Sequence, residues 1–574
     1  MKPGVIQPQR GMALLVVVVL TMLIALGTYR YSFYMESQYR LTRLHEEQVQ
    51  AKTAALSGLE MAAFIAELPQ VERENLGGVI DNPTILQHVT LGSAITSADR
   101  DAQSFATWRF GLLSPVAVGS SATNGPTPRG SMISSASGED FSHVRFGLEN
   151  ESAKLHLPTL LEWDRRLPGH ARMALLALPG ATEQLVDAWL RGLGVANLSS
   201  SRDGSSSLLD RMQASQDVGN QLSEVQQLKM LWFGGDLNQN YRLDPIEFQL
   251  SDQLFNRSGR SAGSPANSLT SSDKALGDSP PMAWQRFVTW YNGQRNETRD
   301  GRPRIYLNEI NLQSLHQQLI TIWPADWANF VIAMRQYGPS NATTSSKHQQ
   351  VGEGDSTNKL IADDASTVIE SPSPDFSKPA SFTFNSPLDL VGAVVQIDTP
   401  PQDSAGQENV ATKKTLRTPF SSDAAEIRNY LGRVLDVVTT DAGPFTTGRV
   451  DVSEAPAEVL AGVPGMDAEL AQRIVQQRSD NSGASSAEPR DTIAWLLEQG
   501  TVDIDTLRSL EPYITSRNDV YSVQSIGYRD HQSPVFRCTA TIDSRQIPAQ
   551  IRNFQIWHPW ERGFSMEQLS STSP

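Results

Sequence analysis

The sequence is poor in cysteine and in positive charge. Among its 574 residues Cys538 is the only cysteine, so the chain cannot form an intrachain disulfide. The 48 Lys and Arg residues are outnumbered by 63 Asp and Glu, which gives a formal net charge of -15 at pH 7. A nucleic-acid partner requires a basic surface that releases counterions from the phosphates. The composition therefore argues against DNA or RNA as a partner.

Motifs for catalysis are also missing. The nine histidines show no metal-ligand spacing, and the sequence has no G-x-S-x-G, no Walker phosphate loop and no H-E-x-x-H. Isolated histidines such as His170 and His531 are typical of surface or loop positions. The sequence therefore predicts a protein that is not an enzyme.

Long apolar runs are absent except at the N-terminus. The run 12–27 is at the short end of what a membrane-spanning helix needs, and four aromatic residues between 29 and 34 follow it as an interfacial belt would. Lys2 and Arg10, with no acidic residue beside them, favour a cytoplasmic N-terminus. We expect a single-pass protein with the bulk of the chain on the opposite side of the membrane.

The boundary between the basic leader and the apolar run has the form of a processing site. The leader ends in Arg10-Gly11, and Met12 begins the apolar run. A secretory signal is cut after its apolar core, whereas a cut here would leave the apolar run on the mature chain. This arrangement resembles the type III leader of type IV pilins and type II secretion pseudopilins, which prepilin peptidase cuts after the glycine. The alternative is an ordinary N-terminal signal anchor.

The residue at the fifth position of the expected mature chain indicates which members of this group the sequence resembles. Pilins usually carry a glutamate there, and this sequence has Val16. Among pseudopilins that absence resembles the K-type minor pseudopilin, the general secretion pathway protein K family. The resemblance implies an inner-membrane protein with a periplasmic bulk that assembles at the pseudopilus tip and takes part in protein export. The implied partners are the major pseudopilin, other minor pseudopilins, prepilin peptidase and secreted proteins.

The residues after the apolar run predict that the helix continues. Between Ser32 and Leu68 there is no proline and only one glycine, Gly58, so one helix is expected over 12–68. Residues at three-four spacing form a seam of mostly small side chains that a sheet can approach closely. The seam consists of Leu41, Leu44, Gln48, Ala51, Ala55, Gly58, Ala62 and Ile65. A membrane-proximal coiled coil is the alternative.

Strand-like segments stand at both ends of the remaining chain. Two precede residue 150, at 105–112 and 141–148, and three follow residue 515, at 520–528, 535–542 and 551–557. One antiparallel sheet built from early and late strands implies that the middle of the chain is an inserted domain. K-type pseudopilins resemble this layout, with a helical domain inserted into a pilin fold.

The middle contains a diverged repeat. Its copies begin at Lys154, Arg304 and Arg449, and each reads as a short extended segment, a helix, a turn and a second helix. Asp467 and Thr182, just after two of the turns, are predicted N-caps. The pattern resembles sterile-alpha-motif-like or helix-hairpin-helix units. Such turns bind DNA in some proteins, which leaves a membrane-anchored DNA-binding protein of an uptake system as the alternative function, and a non-filament anchored scaffold as another.

The predicted fold class is α+β, with a long N-terminal transmembrane helix, a pilin-like antiparallel sheet and a large inserted helical domain. Residues 399–420 are predicted to be flexible because they contain few large apolar residues. The predicted parts are a prepilin-type leader (1–11), the long helix (12–68), the first pilin-like strands (69–150), a SAM-like helical domain with a calcium-type loop (151–338), a flexible linker (339–380), a second helical repeat unit (381–515), C-terminal strands (516–562) and a tail (563–574).

One segment has the ligand spacing of an EF-hand loop. Calcium prefers six to eight oxygen ligands, which explains Asp, Asn and Glu at alternate positions. Tyr241 departs from the pattern, because the sharp turn normally requires glycine, and Pro245 opposes an early exiting helix. A polar turn without a metal is the alternative. The predicted structural calcium ligands are Asp236, Asn238, Asn240, Arg242 through its backbone carbonyl, Asp244 and Glu247.

Overall fold

The computed structural model describes most of the chain outside the termini and the longest connecting segments. Within the described residues the protein is α+β, with one long apolar N-terminal helix, antiparallel sheets and a set of shorter helices. The described residues are 10–91, 108–115, 144–179, 181, 183–192, 232, 284–340, 374–398, 413–480, 490–529 and 534–557.

The helices and strands are numbered here in chain order. The helices are α1 Arg10–Glu67, α2 Gln70–Asn75, α3 Pro83–Leu86, α4 Leu157–Arg166, α5 His170–Leu176, α6 Glu183–Gly192, α7 Leu312–Ile320, α8 Ala325–Tyr337, α9 Ala424–Val437, α10 Ala457–Leu460, α11 Ala468–Asp480, α12 Ala494–Glu498 and α13 Ile504–Leu510. The strands are β1 Val89–Thr90, β2 Arg109–Pro115, β3 Val144–Arg145, β4 Glu149–Asn150, β5 Leu155–His156, β6 Val288–Thr289, β7 Gln294–Arg295, β8 Ile305–Tyr306, β9 Val394–Asp398, β10 Lys413–Arg417, β11 Val438–Thr439, β12 Phe445–Thr446, β13 Val450–Asp451, β14 Ile514–Thr515, β15 Val520–Tyr528, β16 Phe536–Asp543 and β17 Gln550–Trp557.

Helix α1 is continuous over 58 residues, as the absence of proline predicted. At 1.5 Å per residue its length is about 87 Å. The predicted seam is confirmed from Ala51 to Ile65, where its members are buried. Before Ala51 the sheet does not cover the seam, and Leu41 and Leu44 remain 59% and 53% exposed. The sheet covers only the C-terminal part of the helix from Ala51, so most of residues 10–50 have no protein surface to pack against among the described residues.

The main sheet joins strands from both ends of the chain. Its order is β1-β2-β15-β16-β17, with β3 on β2 and β4 on β15, and all pairs are antiparallel. The predicted pairing of early with late strands is therefore confirmed. The single strand predicted at 141–148 is wrong where the structure describes it, because β3 and β4 are separated by residues 146–148, with Gly147 at their centre. The backbone of Ile80 lies so close to Gly147 that a Cβ there would meet it at 1.9 Å.

Two glycines let α1 approach the sheet. A Cβ on Gly58 would lie 2.4 Å from Oγ of Ser525, and a Cβ on Gly527 would lie 2.0 Å from the carbonyl oxygen of Ala51. Oγ of Ser525 donates a hydrogen bond of 2.7 Å to the carbonyl oxygen of Ala55. The helix backbone thus rests directly on β15, and the sheet's apolar side chains surround the contact as one core.

A second and larger core belongs to the middle of the chain. It runs from Leu155 to Ile514 and lies between β4 and β15 in sequence. Each predicted repeat copy begins with a two-residue strand that pairs in parallel with a later strand, in the pairs β5–β6, β8–β11 and β13–β14. The sequence analysis did not find these later strands, which read Val-Thr, Val-Thr and Ile-Thr. Each repeat copy therefore includes a strand pair formed with a later part of the chain and is not only a helical hairpin.

Two segments predicted to be flexible are partly ordered. Strand β10 and the buried side chain of Phe420 lie within 399–420, where Phe420 packs among the tryptophans of the second unit. Residues 374–380 lie within the predicted linker 339–380, and Nε2 of Gln336 donates hydrogen bonds to the backbone carbonyls of Asp375 and Lys378. Low apolar content concealed these contacts because backbone groups and one aromatic ring make them.

Candidate functional site: the stem and its junction with the head

Residues 10–50 of α1 form an exposed stem, and the described residues from 51 onward form the head. Among the described residues α1 is the one helix long and apolar enough to cross a membrane. The side chains of its apolar run are exposed, including Leu15 at 63% and Ile24 at 60%, and so are Tyr29 and Phe33. Exposed apolar surface of this extent requires a lipid or protein environment outside the chain.

The predicted processing residues lie at the start of the stem. Gly11 and Met12 are within the first turn of α1. Val16 follows one turn later and is 59% exposed. Val16 therefore presents an apolar surface, with no charge to offer to a neighbouring amine.

At the opposite end of α1, Arg295 binds the helix terminus. The last carbonyl groups of a helix have no intrahelical partner and carry partial negative charge. Nη1 of Arg295 donates to the carbonyl oxygen of Glu67 at 3.0 Å, and Nη2 donates to that of Leu68 at 3.1 Å. Because Arg295 lies on β7, this contact joins the end of the stem helix to the middle of the chain.

At the junction between the stem helix and the head, Asp519 accepts hydrogen bonds from two arginines. Its Oδ2 accepts the backbone N–H of Arg295 at 2.7 Å, and its Oδ1 pairs with Nη2 of Arg73 at 3.0 Å. Arg73 also donates to the carbonyl oxygen of Asn518 and to the hydroxyl of Tyr521. Burial alone would lower the pKa of Arg73, but the phenol of Tyr521 and the Asp519 carboxylate raise it overall. The guanidinium therefore stays charged in a buried site.

Lys154 makes a second contact between the sheet and the middle of the chain. Its Nζ lies 2.7 Å from Oε1 of Glu151 and 3.1 Å from Oε2 of Glu149. Burial opposes the charge of the ammonium, yet the two carboxylates raise the pKa of Lys154 overall. The hydroxyls of Thr289 and Ser522 donate to Glu151. These bonds connect β4, β6 and β15, so the head is held as one unit at this point.

A pair of carboxyl groups, Asp451 buried and Glu454 half-buried, forms a third contact. Oδ2 of Asp451 accepts a 2.7 Å hydrogen bond from Nδ2 of Asn150, and Oδ1 accepts the backbone N–H of Ser453 at 2.8 Å. Burial raises the pKa of Glu454 to about 7, the negative charge of Asp451 adds to this, and Arg145 and Arg478 oppose it. Burial also raises the pKa of Asp451.

The pair makes stability depend on pH. Glu454 binds a proton more tightly in the folded than in the unfolded chain, so its contribution is fully present below about pH 4.5 and is lost as the pH rises through 7. We expect Glu454→Gln to raise the free energy of unfolding at pH 8 by about 1–2 kcal/mol and to leave it nearly unchanged at pH 4.5. Thermal unfolding at both pH values measures this. Glu60→Gln, on the exposed face of α1, is the control, and an equal effect of both variants would contradict the assignment.

The predicted calcium ligands, Asp236 to Glu247, lie outside the described residues. Their donor set consists of carboxylate, amide and carbonyl oxygens, which suits calcium. Within the described ranges no group of three or more His, Cys, Asp or Glu residues could hold a metal ion. The calcium site therefore stays a prediction from the sequence.

The turn of the third repeat unit bears on the DNA-binding alternative. Gly465 has φ +82°, a left-handed conformation that favours glycine. Oδ1 of Asp467 accepts the backbone N–H of Leu470 at 2.7 Å, which confirms Asp467 as an N-cap. Thr182 lies outside the described residues. The Asp467 carboxylate occupies the helix start at which a DNA phosphate would bind, and it would repel one.

Sequence reasoning missed the junction and misplaced one histidine. Arg295 and Glu67 are 228 positions apart, and no local pattern relates a basic residue to a distant helix end. His170 was assigned to the surface, but it is buried and its Nε2 lies 2.9 Å from the carbonyl oxygen of Gly462. That contact joins the first unit to the third. Sequence reasoning also missed the bond from Asn150 to Asp451, which joins the third unit to the sheet.

Comparison with known proteins adds no relative to these observations. No protein-family model, no curated protein and no solved structure matches this chain. The described residues show an exposed stem that begins with an apolar run. The same helix continues into a large head, which it joins at a buried polar junction.

Proposed function

We propose that this protein is a K-type minor pseudopilin at the tip of a type II secretion pseudopilus. In this proposal the stem spans the inner membrane with its N-terminus in the cytoplasm, and the head is periplasmic. After processing, the stem packs among the helices of the major pseudopilin and other minor pseudopilins. The protein acts as a structural subunit of protein export and not as an enzyme, and its helical middle is a SAM-like insertion.

The observation that carries the proposal is the difference in exposure between the two parts of α1. Residues 10–50 are exposed and begin with the apolar run, while residues 51–67 pack under an antiparallel sheet through Ala51, Ala55 and Gly58. A helix that served only as a membrane anchor would need no such covered segment. A subunit of a helical filament needs both parts, because the exposed part is its contribution to the shared filament core.

Two features support a position at the tip. Val16 provides no carboxylate to pair with the N-terminal amine of a subunit above it. The helical middle, with its own core from Leu155 to Ile514, adds bulk at the head. Both features suit a subunit that has neighbours below it and none above.

Processing at Gly11 is the direct test. We expect the mature protein to begin at Met12 and Gly11→Val to accumulate as the uncut precursor, because the peptidase recognises the glycine at the leader end. Mass spectrometry of the N-terminal peptide from membranes measures both. Gly4→Val, in the same leader, is the matched control and should be processed. A mature chain that begins at Met1, or normal processing of Gly11→Val, would contradict the proposal.

Calcium binding is a separate prediction. If the 236–247 loop binds calcium, added Ca²⁺ should raise the free energy of unfolding of the detergent-solubilised chain by about 1–3 kcal/mol. Asp236→Ala should abolish the rise, whereas Asp252→Ala, outside the loop, should retain it. Thermal unfolding with Ca²⁺ and with a chelator measures the difference. Identical curves for the wild type in both conditions would refute the site and leave the pseudopilin proposal untouched.

A further inference from the structure

A polar cleft of about 380 Å³ lies on the face of the main sheet opposite α1. Ser525 faces α1, because its hydroxyl bonds to Ala55, so Ser522 and Gln524 lie on the opposite face. The other wall is formed by residues 285–291 together with Trp232. The volume is within the range of small-ligand pockets. The cleft is separate from the stem and from the junction around Asp519.

The sheet wall of the cleft carries polar side chains beside the apolar Leu113, Pro115, Val523 and Ala540. Gln524 pairs in register with Leu113 on one side and with Thr539 on the other, and Thr539 pairs with Gln555. Paired residues share a face, so these side chains form one row across the sheet. Thr541, in the next row, is 5% exposed and also lines the cleft. Thr539, Thr541 and Gln555 thus supply hydroxyl and amide groups to this wall.

A β-bulge places an amide at the rim of this wall. The register between β16 and β17 shifts between Thr539 and Thr541, and Asn553 lies in the extra segment opposite. Asn553 has φ +44°, a conformation that costs energy for a residue with a Cβ. Bulges and such strained residues occur preferentially next to binding sites, where they redirect a side chain. Asn553 lines the cleft.

Gln524 is the most constrained member of the row. It is 1% exposed, and neither Oε1 nor Nε2 has a hydrogen-bond partner among the described residues. A buried amide without partners costs free energy. Gln524 itself does not line the cleft, but its two cross-strand neighbours, Leu113 and Thr539, do.

The opposite wall presents aromatic rings. Trp290 is 48% exposed although its backbone is fixed, since its carbonyl oxygen lies 3.2 Å from Nε2 of His156. Tyr291 is held beside it by the bond from its N–H to Oγ1 of Thr289. Trp232 completes the wall. An aromatic face opposite a row of amides and hydroxyls suits a ligand with one apolar and one polar side.

The charges of the cleft select against ions. Its four charged side chains sum to zero, and Lys154 is already held between Glu149 and Glu151. Arg286 has an interaction of its own. Strand addition is also excluded on this face, because the backbone groups of β15 and β16 are used in the ladder. A neutral ligand that bonds to side chains remains.

We infer that the cleft binds a neutral saccharide of one or two sugar units. A pyranose ring has an apolar C–H face that stacks on the ring of Trp290 and hydroxyls that both donate and accept. Asn553, Gln555 and Thr541 provide matching groups on the facing wall. Amides bind vicinal hydroxyls with their carbonyl and amino groups together. The inference is independent of the proposed role in secretion.

The test uses the detergent-solubilised full chain with cellobiose, maltose and N,N′-diacetylchitobiose as probes. Saturation-transfer NMR and calorimetry should detect saturable binding of at least one. Trp290→Ala and Asn553→Gly should each weaken that binding about tenfold. Glycine tolerates φ +44°, so the second variant removes the amide without adding backbone strain. Gln317→Ala, an exposed amide on α7, is the matched control and should leave the affinity unchanged.

The outcomes are decisive in both directions, provided that the variants keep the wild-type unfolding temperature. Absence of saturable binding by all three saccharides would overturn the inference. Equal affinity of the wild type, Trp290→Ala and Asn553→Gly would do the same, because binding would then occur elsewhere. If the neutral tripeptide Ala-Ser-Ala binds in the cleft and the saccharides do not, the occupant is a peptide and the inference is wrong.

Discussion

Gly527→Ala is expected to lower the free energy of unfolding by about 3 kcal/mol. The new Cβ would lie 2.0 Å from the carbonyl oxygen of Ala51 and 2.6 Å from the backbone nitrogen of Ala55. Both are backbone atoms of α1, so no side chain can rotate away to relieve the clash. The helix must instead move off β15, which loosens the core between them and weakens the bond from Ser525 to Ala55.

Thermal and denaturant unfolding of the detergent-solubilised chain measure this effect. Gly432→Ala is the matched control, because the new Cβ on α9 would meet only Oγ1 of Thr492 at 3.7 Å. Alanine is favoured over glycine inside a helix, so the control should gain up to about 1 kcal/mol. Equal stability of the two variants would show that the close approach of α1 to the sheet is not a constraint.

Arg295→Met should lower the free energy of unfolding by about 3 kcal/mol through a different mechanism. Methionine keeps much of the side-chain volume but removes the bonds to the carbonyl oxygens of Glu67 and Leu68 and the ion pair with Asp519. Those carbonyls end α1 and are left without a cationic partner. We therefore expect the last turn of α1 to fray before the rest of the head unfolds.

Hydrogen exchange distinguishes this local effect from a general loss of stability. In Arg295→Met the amides of the last turn of α1 should exchange faster than those of β15, which pair within the sheet. Arg302→Met is the control, since Arg302 is exposed on the same segment and its hydrogen bonds in the described structure, both with Thr298, are made by its backbone groups. Uniform acceleration across the head in Arg295→Met would contradict a specific role at the helix end.

The parts of the fold that were predictable have a local signal. Proline-free sequence and apolar spacing predicted α1, and alternation predicted β15, β16 and β17 within one residue of their bounds. The short extended segments predicted at the start of the repeat copies coincide with strands such as β5 and β13. Their partners, β6 and β14, are recognisable only afterwards as hydrophobic-Thr pairs that lie far along the chain.

The residues of the candidate site also differ in how far the sequence predicts them. Val16 and the apolar run can be read directly, because a membrane or filament contact depends on composition over a short window. Arg73, Arg295 and Asp519 come together only in the folded protein, and each is an ordinary charged residue in its local sequence. Burial gives them their role, and burial of a charged residue is what sequence patterns predict least well.

The closure of the main sheet has a consequence for how the chain folds. Ser525 and Ala55 touch across 470 positions, a separation whose closure is costly in entropy while the intervening chain is unfolded. Asn150 and Tyr521, at the two ends of the middle, are cross-strand neighbours. Folding of the middle first would bring β4 and β15 together and remove most of that cost. A nascent chain that stopped short of β15 would leave Ala51 to Ile65 without the strand that covers them. Incomplete chains would therefore expose this apolar segment of α1 to proteases.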